Sequence, residues 1–229
     1  MEFVIIAIIA LIAIIVLGYV FDYSRKELKC IGENEELDEL AKAYPSNMEM
    51  CREYLKKVKN EKVQIEENEG AEASLYIAVT DKISIANIQK SYTRIQTIAH
   101  ECLHSVQSRK LLLFNFWFSN VYLIYFITIC VLMTFKLLPY KIMFLAIFLI
   151  LSMIYYMVRI FLENDAMIKA RYLAKEYMEE KEISLTQEIA KLLEGFDQIN
   201  AVGIKCINYH FFMQIMIKVF IIAMLGVIF

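Results

Sequence analysis

The chain has 229 residues, 59% of them hydrophobic, with a mean hydropathy of +0.49, six glycines and two prolines. Ordinary globular chains are about 45–50% apolar, so one water-soluble domain is excluded, and so few glycines and prolines exclude low-complexity and collagen-like chains. A net charge of −2, from 24 basic and 26 acidic residues, supplies no basic field for nucleic acid, which is excluded as a partner.

Residues 3–20 open on an unbroken apolar run, Phe3 to Tyr19, which reaches the length of about 17–25 residues that crosses a bilayer as a helix. Glu2 stands where a signal peptide carries lysines, and no small-x-small site follows, so the run reads as a first transmembrane helix rather than a cleaved leader. Residues 21–110 form the first polar region. Lys26 to Lys62 is charged and helical in pattern, interrupted at Pro45, and Glu61 to Gly70 (EKVQIEENEG) reads as an acidic, solvated turn. The stretch SLYIAVTDKISIAN carries two short alternating runs about Thr80 and Asp81, the one strand signal in the chain. Helical spacing is expected from Ile88 through Tyr92, Ile95, Ala99, Cys102 and Val106, running on towards the next span.

Residues 111–162 read as a hairpin of two spans, Leu111 to Phe135 and Ile142 to Leu162, joined by KLLPYK around Pro139. Residues 163–206 form a second polar, helical region. Residues 207–229 form a fourth apolar run that carries Lys218 near its middle, where a charge is costly unless it faces other helices. Ten basic residues flank the two polar regions: Arg25, Lys26, Lys29, Arg109, Lys110, Lys169, Arg171, Lys175, Lys191 and Lys205. Only Lys136 and Lys141 flank the other side, which places both polar regions in the cytoplasm. Five cysteines without CxxC spacing agree with a reducing compartment. The expected fold is mainly α: a polytopic membrane protein with about four transmembrane helices and a small cytoplasmic α+β part.

Within the helix before the second span lies His100-Glu101-Cys102-Leu103-His104. Residues four apart stand on one helix face a turn apart, so His100 and His104 can take adjacent corners of a zinc tetrahedron. Glu101 lies beside that edge, where a carboxylate can accept a proton from an activated water. Catalytic zinc takes a third protein ligand and keeps one open position. The chain next returns to the same membrane face after the third span, at Glu163, 59 positions beyond His104. Glu163 is therefore the expected third ligand, the alternative being an ion pair with Arg159 one turn earlier. Asp165 is a candidate partner for the outer nitrogen of a ligand histidine. His210, at the start of the fourth run, reads as a hydrogen-bonded interfacial anchor, and Cys102 as packing.

The stretches IQTIAHECLHSVQ (95–107) and ENDAMIKA (163–170) resemble those of gluzincin metallopeptidases, and more closely of bacterial membrane zinc metallopeptidases of the YugP type. Those proteins are similar in layout, with one span, a strand before an HExxH helix that reads much like HEVGHAIQ, two spans, and an E-x-D-A segment. The resemblance implies a zincin-like catalytic part, a bacterial cell membrane location, Zn2+ on His100, His104 and Glu163, and Glu101 as the base. Leu103 stands where the family has a small residue, and Met167 where it tends to have serine. Both differences bear on substrate fit, since neither position supplies a ligand.

The activity expected is a zinc metallopeptidase that cleaves peptide or protein substrates at the cytoplasmic membrane face, in contact with lipid. The strand at Ile83 to Asn87 is expected to bind extended peptide along a sheet edge. Two alternatives are a catalytically silent zinc-binding scaffold and a transporter component, the latter raised by Lys218 and by Asn115 and Asn120 in the second span. Neither the natural substrate nor the oligomeric state is legible.

Overall fold

A computed structural model describes residues 1–21, 25–71 and 73–229; the side chain of Arg25, one of the flanking cations, lies outside the described residues. The chain is mainly helical with one small sheet, in the order α1 (Glu2–Val20), α2 (Arg25–Gly32), α3 (Glu35–Lys42), α4 (Asn47–Lys57), β1 (Gln64–Asn68), β2 (Leu75–Ile77), β3 (Lys82–Ala86), α5 (Arg94–Val106), α6 (Arg109–Thr134), α7 (Lys141–Lys181) and α8 (Thr186–Ile228). It divides into two compact units. One comprises Met1–Tyr23, Phe114–Phe161 and Lys205–Phe229, the other Ser24–Leu113 and Leu162–Ile204.

The first unit is the apolar one. Four helices, α1, α6, α7 and α8, are long and apolar enough to cross a membrane. Their shared core centres on Tyr122, Phe148, Ile215, Val219 and Ile222, and the Tyr122 ring stacks on Phe148 at 5.1 Å and on Tyr155 at 4.9 Å. Much of the remaining surface is apolar and exposed, as in Ile5, Ile9, Ile12 and Ile15 of α1, which is the pattern a lipid solvent requires. Two long helices extend beyond the apolar runs. Lys141–Lys181 contains no glycine or proline, so nothing interrupts its backbone ladder where the span gives way to charged residues, and α8, which has glycines but no proline, is also continuous from Thr186. The second polar region is thus made of the far ends of α7 and α8, joined at Glu182 to Leu185.

The second unit packs α3, α4 and α5 with those helix ends and the sheet. Its core holds Met50, Tyr54, Ile83, Ile85, Ile95, Ile98, Ala174, Tyr177, Leu192 and Phe196. The sheet order is β1-β3-β2, with β1 parallel and β2 antiparallel to β3. Two sequence expectations fail here. Glu61 to Gly70 is not a plain solvated turn, because Gln64–Asn68 forms β1: Val63 and Ile65 alternate inward, and Glu66 pairs with Lys82 of β3. The strand at Ile83 to Asn87 is not an edge either, because β3 is central and is hydrogen-bonded on both sides.

The helix carrying the histidines is also shorter than its apolar spacing predicts. Ile88 and Tyr92 precede α5 in turns closed by Ile88 N–H to Ala86 O and Ser91 N–H to Ile88 O. Tyr92 reaches the core by tertiary pinning instead, its amide donating to Asp38 Oδ1 and its hydroxyl to Ile31 O. At the other end α5 does not run on into α6, since Gln107 is extended (ψ 164°).

Arg94, the first residue of α5, anchors the unit. Its side chain is fully buried, yet among the described residues the guanidinium meets no carboxylate. It donates to Ala41 O at 2.7 Å, Tyr44 O at 2.8 Å, Pro45 O at 2.7 Å and Asn47 Oδ1 at 3.2 Å. The cation thereby adds a bond to Ala41 O, which already accepts from the Tyr44 N–H, and meets the Tyr44 and Pro45 carbonyls where α3 ends and Pro45 turns the chain. Arg94→Leu is expected to strand the Tyr44 and Pro45 carbonyls and to lower unfolding stability by about 3 kcal/mol, read from denaturant titration in detergent.

Glu53 of α4 supplies a pH-dependent tie. Burial opposes its ionisation, but bonds from Lys181 and from the Tyr177 hydroxyl (2.6 Å) outweigh burial and hold the carboxyl below its ordinary value. A carboxyl depressed in the folded state adds stability above its unfolded pKa of about 4.3, and that stability is lost as pH falls through the folded value. Glu53→Gln should therefore cost about 0.5–1 kcal/mol at pH 7 and nothing well below pH 4, a difference that melting curves at the two pH values resolve.

Candidate metal centre

Helix α5 presents His100 and His104 on one face, one turn apart, their rings perpendicular with centroids 4.5 Å apart. Their Nε2 atoms approach to 2.9 Å, and Glu163 Oε2 stands 3.6 Å from each. These three are the one group among the described residues placed to hold a metal ion. A tetrahedral zinc ion with ligands at ~2.0–2.1 Å requires neighbouring donors on the order of 3.3 Å apart. The three observed edges bracket that spacing.

Charge points the same way. With neutral imidazoles, Glu101 and Glu163 leave the cluster with two negative charges, which a divalent cation balances. Burial disfavours a proton on His104, but the bond to Glu163, the charges on Glu101 and Glu163, and Gln107 together raise its proton affinity above the ordinary value. His100 and Glu163 keep partial exposure, 16% and 19% of their side chains, so the donor cluster opens to solvent.

Glu101 is 7% exposed and accepts a hydrogen bond from the Tyr76 backbone N–H of β2. Burial pushes its carboxyl above the ordinary range. The two histidines oppose that rise, the neighbouring Glu163 charge adds to it, and the Tyr76 amide opposes it. A carboxylate with raised proton affinity beside a cation site has the property required of a base that takes and returns a proton.

The outer nitrogen of His104 is met by a residue not singled out in the sequence. His104 Nδ1–H donates to Gln107 Oε1 at 2.8 Å, and Gln107 Nε2 donates to Leu162 O at 2.9 Å and Asp165 Oδ2 at 3.1 Å. In the neutral ring this places the proton on Nδ1 and leaves Nε2 as the nitrogen that could bind a metal ion. Asp165 accordingly lies one hydrogen bond behind the histidine, paired with Lys169 at 2.6 Å, and is joined to His104 through the Gln107 amide. The available signal was the spacing of Gln107, three residues after His104, at the point where α5 ends.

The other candidates fall elsewhere. His210, in the membrane unit, bonds Gln214 at 2.9 Å. Cys102 is fully buried with its Sγ 3.6 Å from Cys51 Sγ, both thiols free, which is a packing role. Comparison with protein-family models, with curated proteins and with solved structures gives no match.

Gln107→Leu removes both the acceptor for Nδ1–H and the tie to α7, and should weaken metal binding about 10- to 100-fold. Asp165→Asn, one bond further out, should weaken it less. Competition with a chromophoric chelator measures both, and the visible spectrum of the cobalt-substituted protein should shift in Gln107→Leu, which loss of packing alone would not produce.

Proposed function

We propose that the protein is an integral membrane zinc metallopeptidase, zincin-like in its catalytic part, with His100, His104 and Glu163 as ligands and Glu101 as general base. The observation that carries this reading is the convergence of three donors from two distant stretches of chain at tetrahedral spacing, with a buried carboxylate beside them. Zinc bound there would supply an acidified water and polarise the scissile carbonyl. Glu101, buried beside the donors, would be the group that accepts a proton and delivers it to the leaving amine. The Tyr76 amide holds the Glu101 carboxylate in place for both transfers, and Gln107 holds His104 in one tautomer.

Extended substrate would lie along β2, Leu75–Ile77, an outer strand of the sheet whose Tyr76 amide touches Glu101. In sequence, His104 precedes the second span by a few residues and Glu163 follows the third directly, which favours catalysis at the membrane surface. The basic residues around both polar regions favour the cytoplasmic face. Peptides or membrane proteins with an extended segment near the lipid surface are the substrate class. The resemblance of residues 95–107 and 163–170 to YugP-type peptidases supports the same reading.

Purified wild type is expected to retain about one zinc ion per chain and Glu163→Ala to lose it, while Glu101→Gln retains zinc and loses roughly 10²–10⁴-fold in peptide hydrolysis. Metal analysis alongside cleavage of a quenched fluorescent peptide library reads both. Equal tight occupancy in wild type and Glu163→Ala would remove Glu163 from the site, and unchanged hydrolysis in Glu101→Gln would remove the mechanism.

A further inference from the structure

Lys218 is a charge in the apolar unit that peptide hydrolysis does not use. Its depth follows from how α1 and α8 pack. A Cβ on Gly226 would lie 2.5 Å from the Phe3 ring, and a Cβ on Gly18 would lie 2.9 Å from the Tyr209 hydroxyl, which itself donates to Ile14 O at 3.0 Å. The two helices are therefore antiparallel neighbours, with glycine admitting an aromatic ring at each end. Lys218 falls midway between these contacts along α8, about 12–14 Å from either at ~1.5 Å per residue. That is the level of the middle of α1, whose Ala10 is buried in the same core.

At this depth the ammonium meets aromatic faces and no carboxylate. Nζ lies 4.6 Å from the Tyr122 ring centroid and 5.7 Å from that of Tyr155, and the Tyr122 hydroxyl accepts from Ser152 Oγ at 3.1 Å. Aromatic rings attract a cation but leave its charge whole. Residues 3–20, 111–135, 142–162 and 207–229 contain no Asp or Glu at all, so this chain has no counter-ion to offer at mid-membrane, and neither does a second copy of it. Lipid phosphates are also remote, lying at the edges of a hydrocarbon layer about 30 Å thick. The site is nevertheless approachable from lipid. Lys218 is only partly buried, its neighbours Ile217 and Ile221 are 42% and 40% exposed, and Gln214, one turn away, adds a polar amide to the same side.

We propose that Lys218 is a docking cation for a transmembrane helix of a different membrane protein that carries an Asp or Glu at mid-depth. The incoming carboxylate completes the ion pair this bundle leaves open, in the one solvent where an uncompensated charge is most costly. The surface along Gln214, Ile217, Lys218 and Ile221 accommodates the flanking apolar residues of that helix. A partner or substrate with an apolar span alone gains nothing from Lys218, so the site discriminates by charge where the surrounding surface cannot. This inference is independent of the metal centre.

The test uses the full chain, fluorescently labelled and reconstituted in phosphatidylcholine vesicles, with a labelled leucine–alanine transmembrane peptide bearing one central Glu, Gln or Leu. Energy transfer is expected to report association about tenfold tighter for the Glu peptide than for the Leu peptide. Lys218→Met should abolish the difference and Lys218→Arg preserve it. Equal association of the Glu and Leu peptides with wild type would overturn the proposal, and that comparison needs no variant to fold. So would a Glu advantage that persists in Lys218→Met. Loss of the advantage on adding phosphatidylglycerol would assign the cation to lipid phosphate and overturn it equally.

Discussion

The hydrogen bonds through Gln107 decide whether α5 and α7 make a site or merely lie in one unit. Its carboxamide accepts from His104 on one side and donates to Leu162 O and Asp165 on the other. One residue, placed where α5 gives up its helical conformation, sets the tautomer of His104 and ties α5 to the helix bearing Glu163. If Gln107 continued the helix into α6, its side chain would point elsewhere on the α5 surface and the contact to α7 would be lost. The break between Val106 and Arg109 is thus part of the site's construction, as is the uninterrupted course of α7 past the end of its apolar run.

Behind this sits a second constraint, the fixing of the α5 start. Arg94 is buried against four neutral acceptors, and Tyr92 is held by Asp38 and Ile31 O. With one end pinned by tertiary hydrogen bonds and the other by Gln107, α5 has little freedom to rotate, and the relation of two imidazoles to a carboxylate on another helix requires that restraint. The Tyr76 amide adds the last tie, from the sheet to Glu101. Of the three strands, β2 is the one that lies beside Glu101.

How much of this was legible depends on the length scale of the signal. The apolar runs were plain because a bilayer imposes one solvent on some twenty consecutive residues, and His100, Glu101 and His104 were plain because their spacing is local to one helix. Glu163 was reached by topology, since a hairpin returns the chain to the face it left. What was missed depended on tertiary pairing. The strand Gln64–Asn68 and the residue before it show only Val63 and Ile65 as apolar positions, so its alternation acquires meaning only once Glu66 has Lys82 of β3 to pair with. Tyr92 has the spacing of a helical core residue but is buried from a turn. The reach of Asp165 to a histidine failed as a direct contact because it lies about 200° around α7 from Glu163, and an intervening amide bridges the gap.

The two units share one diagnostic, a local imbalance of charge that the chain does not itself correct. Around His100 and His104 the excess is negative, in a pocket whose donors are already spaced for a small divalent cation. In the bundle the excess is positive, and all four apolar runs lack the residue types that would neutralise it. A folded protein seldom retains buried charge without a partner, because neutralising the group or replacing it with an apolar one relieves the desolvation cost. Where the charge persists, the partner proposed is defined by sign, size and depth: a dication in one case, a membrane-embedded carboxylate in the other. The same physical argument supports both proposals, and it uses only where the charges lie and what stands opposite them.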